Sequence, residues 1–417
     1  MNLDVDIERL ASELDHLATF SDAEPPAVTR IVYSQADQQA RLWLRNLCDE
    51  SGLSTRVDAL GNLFARWEVP GHPTGAVGTG SHIDAIPHSG RYDGTVGVLG
   101  GLEAIRTLQR SGFKPARPIE LLAFISEEPT RFGIGCLGSR MLCGGLKADQ
   151  ASALKDKHDD LLPAIREAAG FTGPLDGVQL PAGYYSAFVE LHIEQGPLLE
   201  REHIELGVVE GIAAPAALRV YLKGSGGHAG AVLMPQRRDA FLGAAELSLA
   251  VEAATLRSGS PDTVGTVGLC DIYPGAANSI PSAVKMEIDI RDVSLLHRDA
   301  VVESILRTAR QICEKRKLEI ETSILNADAP TKSGPAIVEA LKQACQAENK
   351  TYKTMISRAY HDSLFMARIA PVAMLFIPCR EGYSHRPDEF ASKQDMANGV
   401  AVLARTLAAL SGAALAS

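Results

Sequence analysis

Two kinds of hydrophobic pattern divide the chain. In the first part, short apolar runs alternate with longer stretches whose apolar residues recur at helical spacing. Ser34 to Ser51 places Ala40, Leu44 and Leu47 on one stripe and stops at Gly52, which predicts a helix. Ala76–Ile83, Ile119–Ile125 and Ala187–Ile193 are apolar runs of strand length, and Gly94–Arg110 carries Val98, Leu102, Ile105 and Leu108 on one helical face. Strands that are apolar throughout are covered on both sides, so this βαβ rhythm predicts a largely parallel sheet between layers of helices.

Near Gly211–Pro215 the period changes. Leu218, Val220 and Leu222 alternate with Arg219, Tyr221 and Lys223, and Val284, Met286, Ile288 and Ile290 alternate with Lys285, Glu287, Asp289 and Arg291. Period-two alternation predicts a sheet with one covered and one open face. Helices over Arg238–Leu256 and Asp299–Lys315 interleave with it. The expected architecture is a larger α/β domain made of residues 1–212 and 327–417, interrupted by a smaller α+β domain at 213–326. The larger domain resumes with a helix at Pro335–Glu348, a strand at Val372–Ile377 and a helix at Gln394–Leu410.

Composition narrows the function classes. A length of 417 residues suits two domains. Acidic residues outnumber basic ones, 51 to 41, for a net charge of −10, and aromatics are 5%. That balance speaks against coating a phosphate backbone or stacking bases, so no nucleic-acid partner is expected. The longest apolar run, near Ala370–Ile377, is strand-sized, so no membrane partner is expected either. The acidic start, Met1 to Asp6, lacks the pattern of a secretory signal, and the seven cysteines are scattered without a CxxC pair. A cytoplasmic protein with reduced thiols is the expectation. Any metal site then rests on histidines and carboxylates.

Those residues fall at the carboxyl ends of the predicted buried strands, where open α/β sheets place their sites. His82 and Asp84 follow Ala76–Gly80; Tyr92-Asp93-Gly94 precedes the next helix; Ser126-Glu127-Glu128 follows Leu121–Ile125. His192 lies within Val189–Gln195, and Tyr383-Ser384-His385 follows Val372–Ile377. Three histidines (His82, His192, His385) and two carboxylates (Asp93, Glu128) suit divalent first-row metals. Five ligands exceed the need of one ion. If Asp93 bridges, each of two ions has three protein ligands and an open position for water of lowered pKa. In a regular strand Glu127 and Glu128 point to opposite faces, so a local twist is required for both to reach the site, with Glu127 then placed as general base.

These strings, together with Glu190-Leu191-His192-Ile193-Glu194-Gln195-Gly196, resemble the amidase/hydantoinase/carbamoylase branch of the dinuclear M20 metallopeptidase clan from about Tyr33 to Leu410. The resemblance implies a metal set of His82, Asp93, Glu128, His192 and His385, with Glu127 as the base. It also implies a homodimer built through the inserted lid domain. Peptidases of the clan carry a carboxylate where this chain has His192, which points to the carbamoylase side. Gly226-Gly227-His228-Ala229-Gly230 resembles the lid motif whose histidine, here His228, enters the partner's active site and steadies the oxyanion. Asn278 and Arg291 match binders of the substrate carboxylate, and Gln195 a further substrate contact.

One run departs from the common pattern. Ser357-Arg358-Ala359-Tyr360-His361-Asp362-Ser363 has Arg358 and Tyr360 where most of the branch has glycines, while His361 keeps its family role beside the scissile amide. The larger side chains make Tyr360 a candidate substrate contact and argue against bulky N-carbamoyl amino acids. The run is similar to that of the ureidoglycolate-cleaving members, as is Ser126-Glu127-Glu128-Pro129-Thr130-Arg131-Phe132-Gly133. The implied substrate is therefore a small anionic ureido acid, (S)-ureidoglycolate of allantoin and purine breakdown, cleaved to glyoxylate, ammonia and carbon dioxide. Allantoate, N-carbamoyl amino acids, 3-ureidopropionate and, more remotely, peptides are the competing substrates. The implied cofactor is two divalent ions per subunit, manganese or alternatively zinc.

Overall fold

A computed structural model describes residues 3–72 and 75–412 and divides the chain into two compact units. The first comprises residues 1–210, 332–355 and 361–417; the second, residues 211–331 and 356–360. The expected boundaries at 213 and 326 thus move outward. A short piece expected in the larger domain, 356–360, joins the smaller one, where the Ser357 carbonyl accepts from Ala213 N–H at 2.8 Å.

The first unit is built on a nine-stranded mixed sheet. Seven of its strands run in the order Leu206–Ile212, Val372–Ile377, Tyr185–Ile193, Ala76–His82, Ile119–Phe124, Leu63–Trp67 and Ser54–Val57, the last at an edge. The middle four, Val372–Ile377 through Ile119–Phe124, are mutually parallel; the flanking strands are antiparallel. All residues of Ala76–His82, Ile119–Phe124 and Val372–Ile377 are buried, which explains why these segments read as unbroken apolar runs. On one face Leu121, Val189, Leu191 and Leu375 pack with the helices Thr95–Arg110, Pro335–Ala347 and Lys393–Ser411. On the other, Phe64, Leu122, Phe124 and Phe188 form a second core with Leu137, Leu142 and Leu162. Strand spacing in the middle of the sheet leaves no room beyond a hydrogen at Gly80. A Cβ there would lie 1.8 Å from the Leu122 carbonyl oxygen, and its φ of +147° is open only to glycine.

The second unit is a four-stranded antiparallel sheet in the order Val264–Tyr273, Ala283–Asp292, Ala214–Lys223, Glu319–Ala327. Helices Ala240–Leu256 and Leu295–Arg316 cover one face, burying Leu218, Val220, Leu222, Met286, Ile288 and Ile290. The open face carries Arg219 and Glu287, paired at 2.7 Å. No helix of the described residues is long and apolar enough to cross a membrane.

Candidate metal centre

The site forms where the four parallel strands end. His82 closes its strand, His192 is next to last in its own, Glu127 and Glu128 follow Phe124, and His385 follows Ile377. Three residues at these exits, Ser126, Gln195 and His385, have left-handed φ of 53°, 56° and 60° without being glycine. Such a backbone costs on the order of 1–3 kcal/mol per residue and persists where the surroundings enforce it. At Ser126 the enforcement is visible. Asn62 Oδ1 accepts from Ile125 N–H at 3.0 Å, and Leu137 N–H donates to the Ser126 carbonyl at 2.8 Å. This is the twist the two glutamates require. Beyond it, Glu127 Oε2 lies 3.8 Å from His82 Nε2, and Glu128 Oε1 lies 3.3 Å from His385 Nε2.

Asp93 is the hub. Its Oδ1 is 3.6 Å from His82 Nε2 and 3.2 Å from His192 Nε2; its Oδ2 is 3.2 Å from His385 Nε2. One oxygen thus faces a histidine pair and the other faces the His385–Glu128 pair. Two triads result, His82–Asp93–His192 and Asp93–Glu128–His385, each with ligand atoms within 4.8 Å of one another. The imidazoles are oriented from behind: His82 Nδ1 is 3.1 Å from the Asp84 carbonyl, and His192 Nδ1 is 2.9 Å from the Ile193 carbonyl. A ring whose Nδ1–H is held by a carbonyl turns its Nε2 lone pair toward the site, the arrangement of a metal-ligating histidine. Gly94, at φ +68°, allows this closeness, since a Cβ there would lie 2.4 Å from His82 Nε2.

The charge inventory fits divalent cations. Asp84, Asp93, Glu127, Glu128 and Glu389 are all buried around three histidines, and buried carboxylates require compensation. Without ions the cluster compensates itself. Burial favours a neutral His82, yet the charges of Glu127, Asp84 and Asp93 raise it well above its ordinary value. Burial likewise opposes ionisation of Asp93, but hydrogen bonds from His192, His385 and His82 hold it well below the carboxylate range. Burial pushes Glu127 well up, and burial with the neighbouring Asp93 charge brings Glu128 to about 7. The hydrogen bond to Asp93 lifts His385 to about 9. An imidazolium must lose its proton to ligate, so loading the metal-free protein at pH 7.5 is expected to release protons. Apparent affinity should climb as pH rises through neutrality toward about 9, where His385 gives up its proton. Titration calorimetry in buffers of different ionisation heat checks this; an uptake independent of buffer would contradict it.

The sequence profile of Peptidase family M20/M25/M40 matches residues 78–409. The chain belongs to this family. Among its relatives, the ureidoglycolate hydrolases of Oryza sativa subsp. japonica and Arabidopsis thaliana are 53% and 52% identical to it. Both alignments cover 98% of this chain, with 85% of the rice protein and 88% of the Arabidopsis one. The crystal structure of AtUAH in complex with glyoxylate matches this M20 chain with a TM-score of 0.90 and 52% identity, over 98% of each chain.

Two further residues named from sequence lie in the first unit with the M20 cluster. Gln195 donates from Nε2 to Asp93 Oδ2 at 2.8 Å, and its Oε1 is buried with no hydrogen-bond partner. His361 is buried, its ring 4.6 Å from that of His192 at 67°. The adjacent Asp362 accepts from Ser139 Oγ at 2.5 Å.

The others lie in the second unit. The short pairing of Gly227–His228 with Ser279–Ile280 sets His228 opposite Ser279, next to Asn278, whose carbonyl accepts from Ala229 N–H. Gly230 N–H donates to His228 Nδ1 at 3.1 Å, which leaves the proton of this exposed ring on Nε2. Arg291 pairs with Asp289 at 2.8 Å and donates to the Arg358 carbonyl at 3.1 Å. The Tyr360 hydroxyl donates to Asp328, and the Arg358 guanidinium pairs with Asp262.

Sequence reasoning gave no role to the groups behind the cluster, Asp84, which it named, and Glu389, which it did not. Asp84 accepts from the N–H groups of Glu127 and Glu128 at 3.1 and 3.0 Å, one oxygen each, tying the glutamate turn to the His82 strand. Glu389 Oε1 accepts from Tyr92 and Asp93 N–H at 2.7 and 3.1 Å and so fixes the hub's backbone. Asp84 was legible, two residues past His82. Glu389, nearly three hundred residues from Asp93 (a separation of 296), carried no local signal.

Proposed function

We propose that this chain hydrolyses the ureido C–N bond of (S)-ureidoglycolate, giving glyoxylate, ammonia and carbon dioxide. The observation that carries the substrate is identity of 53% and 52% to two ureidoglycolate hydrolases over 98% of this chain. The catalytic part rests on the Asp93-centred cluster. His82, Asp93 and His192 would hold one divalent ion, and Asp93, Glu128 and His385 a second, with manganese preferred and zinc the alternative. When bound, these ions supply a water of lowered pKa and an electrophilic contact for the ureido carbonyl. Glu127, buried beside His82, takes the proton of the attacking water and returns it to the leaving nitrogen. His361 packs on His192 and borders the reacting carbonyl. The unpartnered Gln195 Oε1 accepts from the ureido N–H groups. Arg291 and Asn278 hold the carboxylate, and Tyr360 narrows the pocket around a small acid.

The working form is a homodimer in which His228, with its outward Nε2–H, donates to the oxyanion in the partner's site. Exposed apolar side chains of the second unit, Leu249 and Leu256 on one helix and Ile324 and Leu325 on an edge strand, support a subunit contact there. The free state of all seven cysteines is in keeping with a cytoplasmic setting.

Manganese-loaded protein is expected to release ammonia from ureidoglycolate in preference to allantoate and N-carbamoyl-β-alanine, with glyoxylate formed alongside. Activity confined to another ureido acid would overturn the substrate and leave the amidohydrolase chemistry standing. The shared site has its own test. His228→Ala and Arg291→Ala subunits, each nearly inactive alone, should regain part of the activity when mixed; no recovery would count against a site shared in this way.

A further inference from the structure

Cys136 makes two contacts with one residue. Its backbone N–H donates to the Glu127 carbonyl at 2.6 Å, and its Sγ lies 3.3 Å from Glu127 Oε1. The side chain is fully buried, and the residue caps the helix Leu137–Leu142 in the left-handed conformation, φ 56° and ψ 36°. A backbone in that region favours glycine, which would keep the N–H contact and lose the thiol. A buried cysteine with no polar contact would pack as a small apolar side chain. Here the S–H has an acceptor, and that acceptor is the group placed to move the proton. The other oxygen, Oε2, faces the ligand cluster, 3.8 Å from His82 Nε2.

We propose that Cys136 is a positioning residue for Glu127: its S–H···Oε1 hydrogen bond fixes the carboxylate so that Oε2 is presented to the attacking water. The proposal rests on Glu127 being the proton acceptor. Cys136 is not a nucleophile in this role. Burial and the Glu127 charge push the thiol well up from its ordinary value, so it remains an S–H donor.

The test uses Cys136→Ala, Cys136→Gly and Cys136→Ser in the metal-loaded full chain. Loss of the donor should lower kcat about tenfold, with KM within about twofold of the parent, the scale of one hydrogen bond to a charged group. Serine, which keeps a donor, should recover most of that loss. Glycine suits the left-handed backbone, so Cys136→Gly should melt no lower than Cys136→Ala while remaining as slow; a role confined to packing would instead move Tm and kcat together. A direct signature needs no turnover. The infrared S–H stretch that vanishes in Cys136→Ala should shift upward in Glu127→Ala, where the acceptor is gone. Wild-type kcat in the alanine and glycine variants, a serine variant as slow as alanine, or an S–H band unmoved by Glu127→Ala would each overturn the proposal. Near-normal turnover of Glu127→Gln would instead overturn the base assignment, and the positioning role with it.

Discussion

Glu127→Gln is expected to bind metal as the parent does and to lose roughly 10³-fold in kcat, within the range for removal of a general acid–base. The substitution is nearly isosteric. The amide oxygen can still accept from Cys136, and the side chain still fills the buried space beside His82. It cannot take up a proton. Burial, with the charges of Glu128, Asp362 and Asp84, drives the Glu127 carboxyl well up in the metal-free chain, a strong opposing pull coming from His82. Added positive charge at the cluster brings it back toward ionisation and toward the proton affinity a base needs near neutral pH. Metal analysis beside steady-state kinetics checks the result. Full turnover with the metal retained would remove Glu127 from the proton path.

Asp93→Ala should do more damage, and of a different kind. Asp93 presents one oxygen to His82 and His192 and the other to His385, so its loss opens both triads at once. Loss of an outer hydrogen-bond partner typically weakens a metal site about 10–100-fold; if Asp93 is shared by two ions as proposed, its removal should exceed that. The expected outcome is under one equivalent of metal at concentrations that saturate the parent, and turnover no greater than that of chelated protein. His385→Ala is the control, because it touches one triad and should spare the His82–Asp93–His192 side. Two tightly held equivalents in Asp93→Ala would rule out the bridging arrangement.

How far the sequence revealed this site depends on distance along the chain. His82, Glu128, His192 and His385 stood out because each lies at or just beyond the end of an apolar run, and Asp93 because it sits immediately before the helix that follows the His82 strand; a parallel sheet gathers such ends on one edge. The need for a twist before Glu127 was also legible. That the twist is a left-handed Ser126, flanked by Ile125 bound to Asn62 and itself bound by Leu137, was not, since nothing local marks serine for that conformation. Glu389 and Cys136 escaped notice because their roles are tertiary contacts without a periodic signature. In the second unit, the two inner strands alternate cleanly because one face is buried. The edge strands Val264–Tyr273 and Glu319–Ala327 are mostly exposed, so no buried face imposed a period on them.

The short segment 356–360 has a bearing on inheritance. Because the second unit takes its residues from two separated stretches, it is not a cassette that one recombination event can transplant. A graft of 211–331 into another host would leave behind Arg358 and Tyr360, and with them the groups that engage Asp262 and Asp328. A lineage acquiring a new second unit would have to change residues immediately before His361 in the same step, so this unit and the His361 segment are expected to diversify together. Chimeras between related amidohydrolases should therefore be cut with 356–360 travelling alongside 211–331.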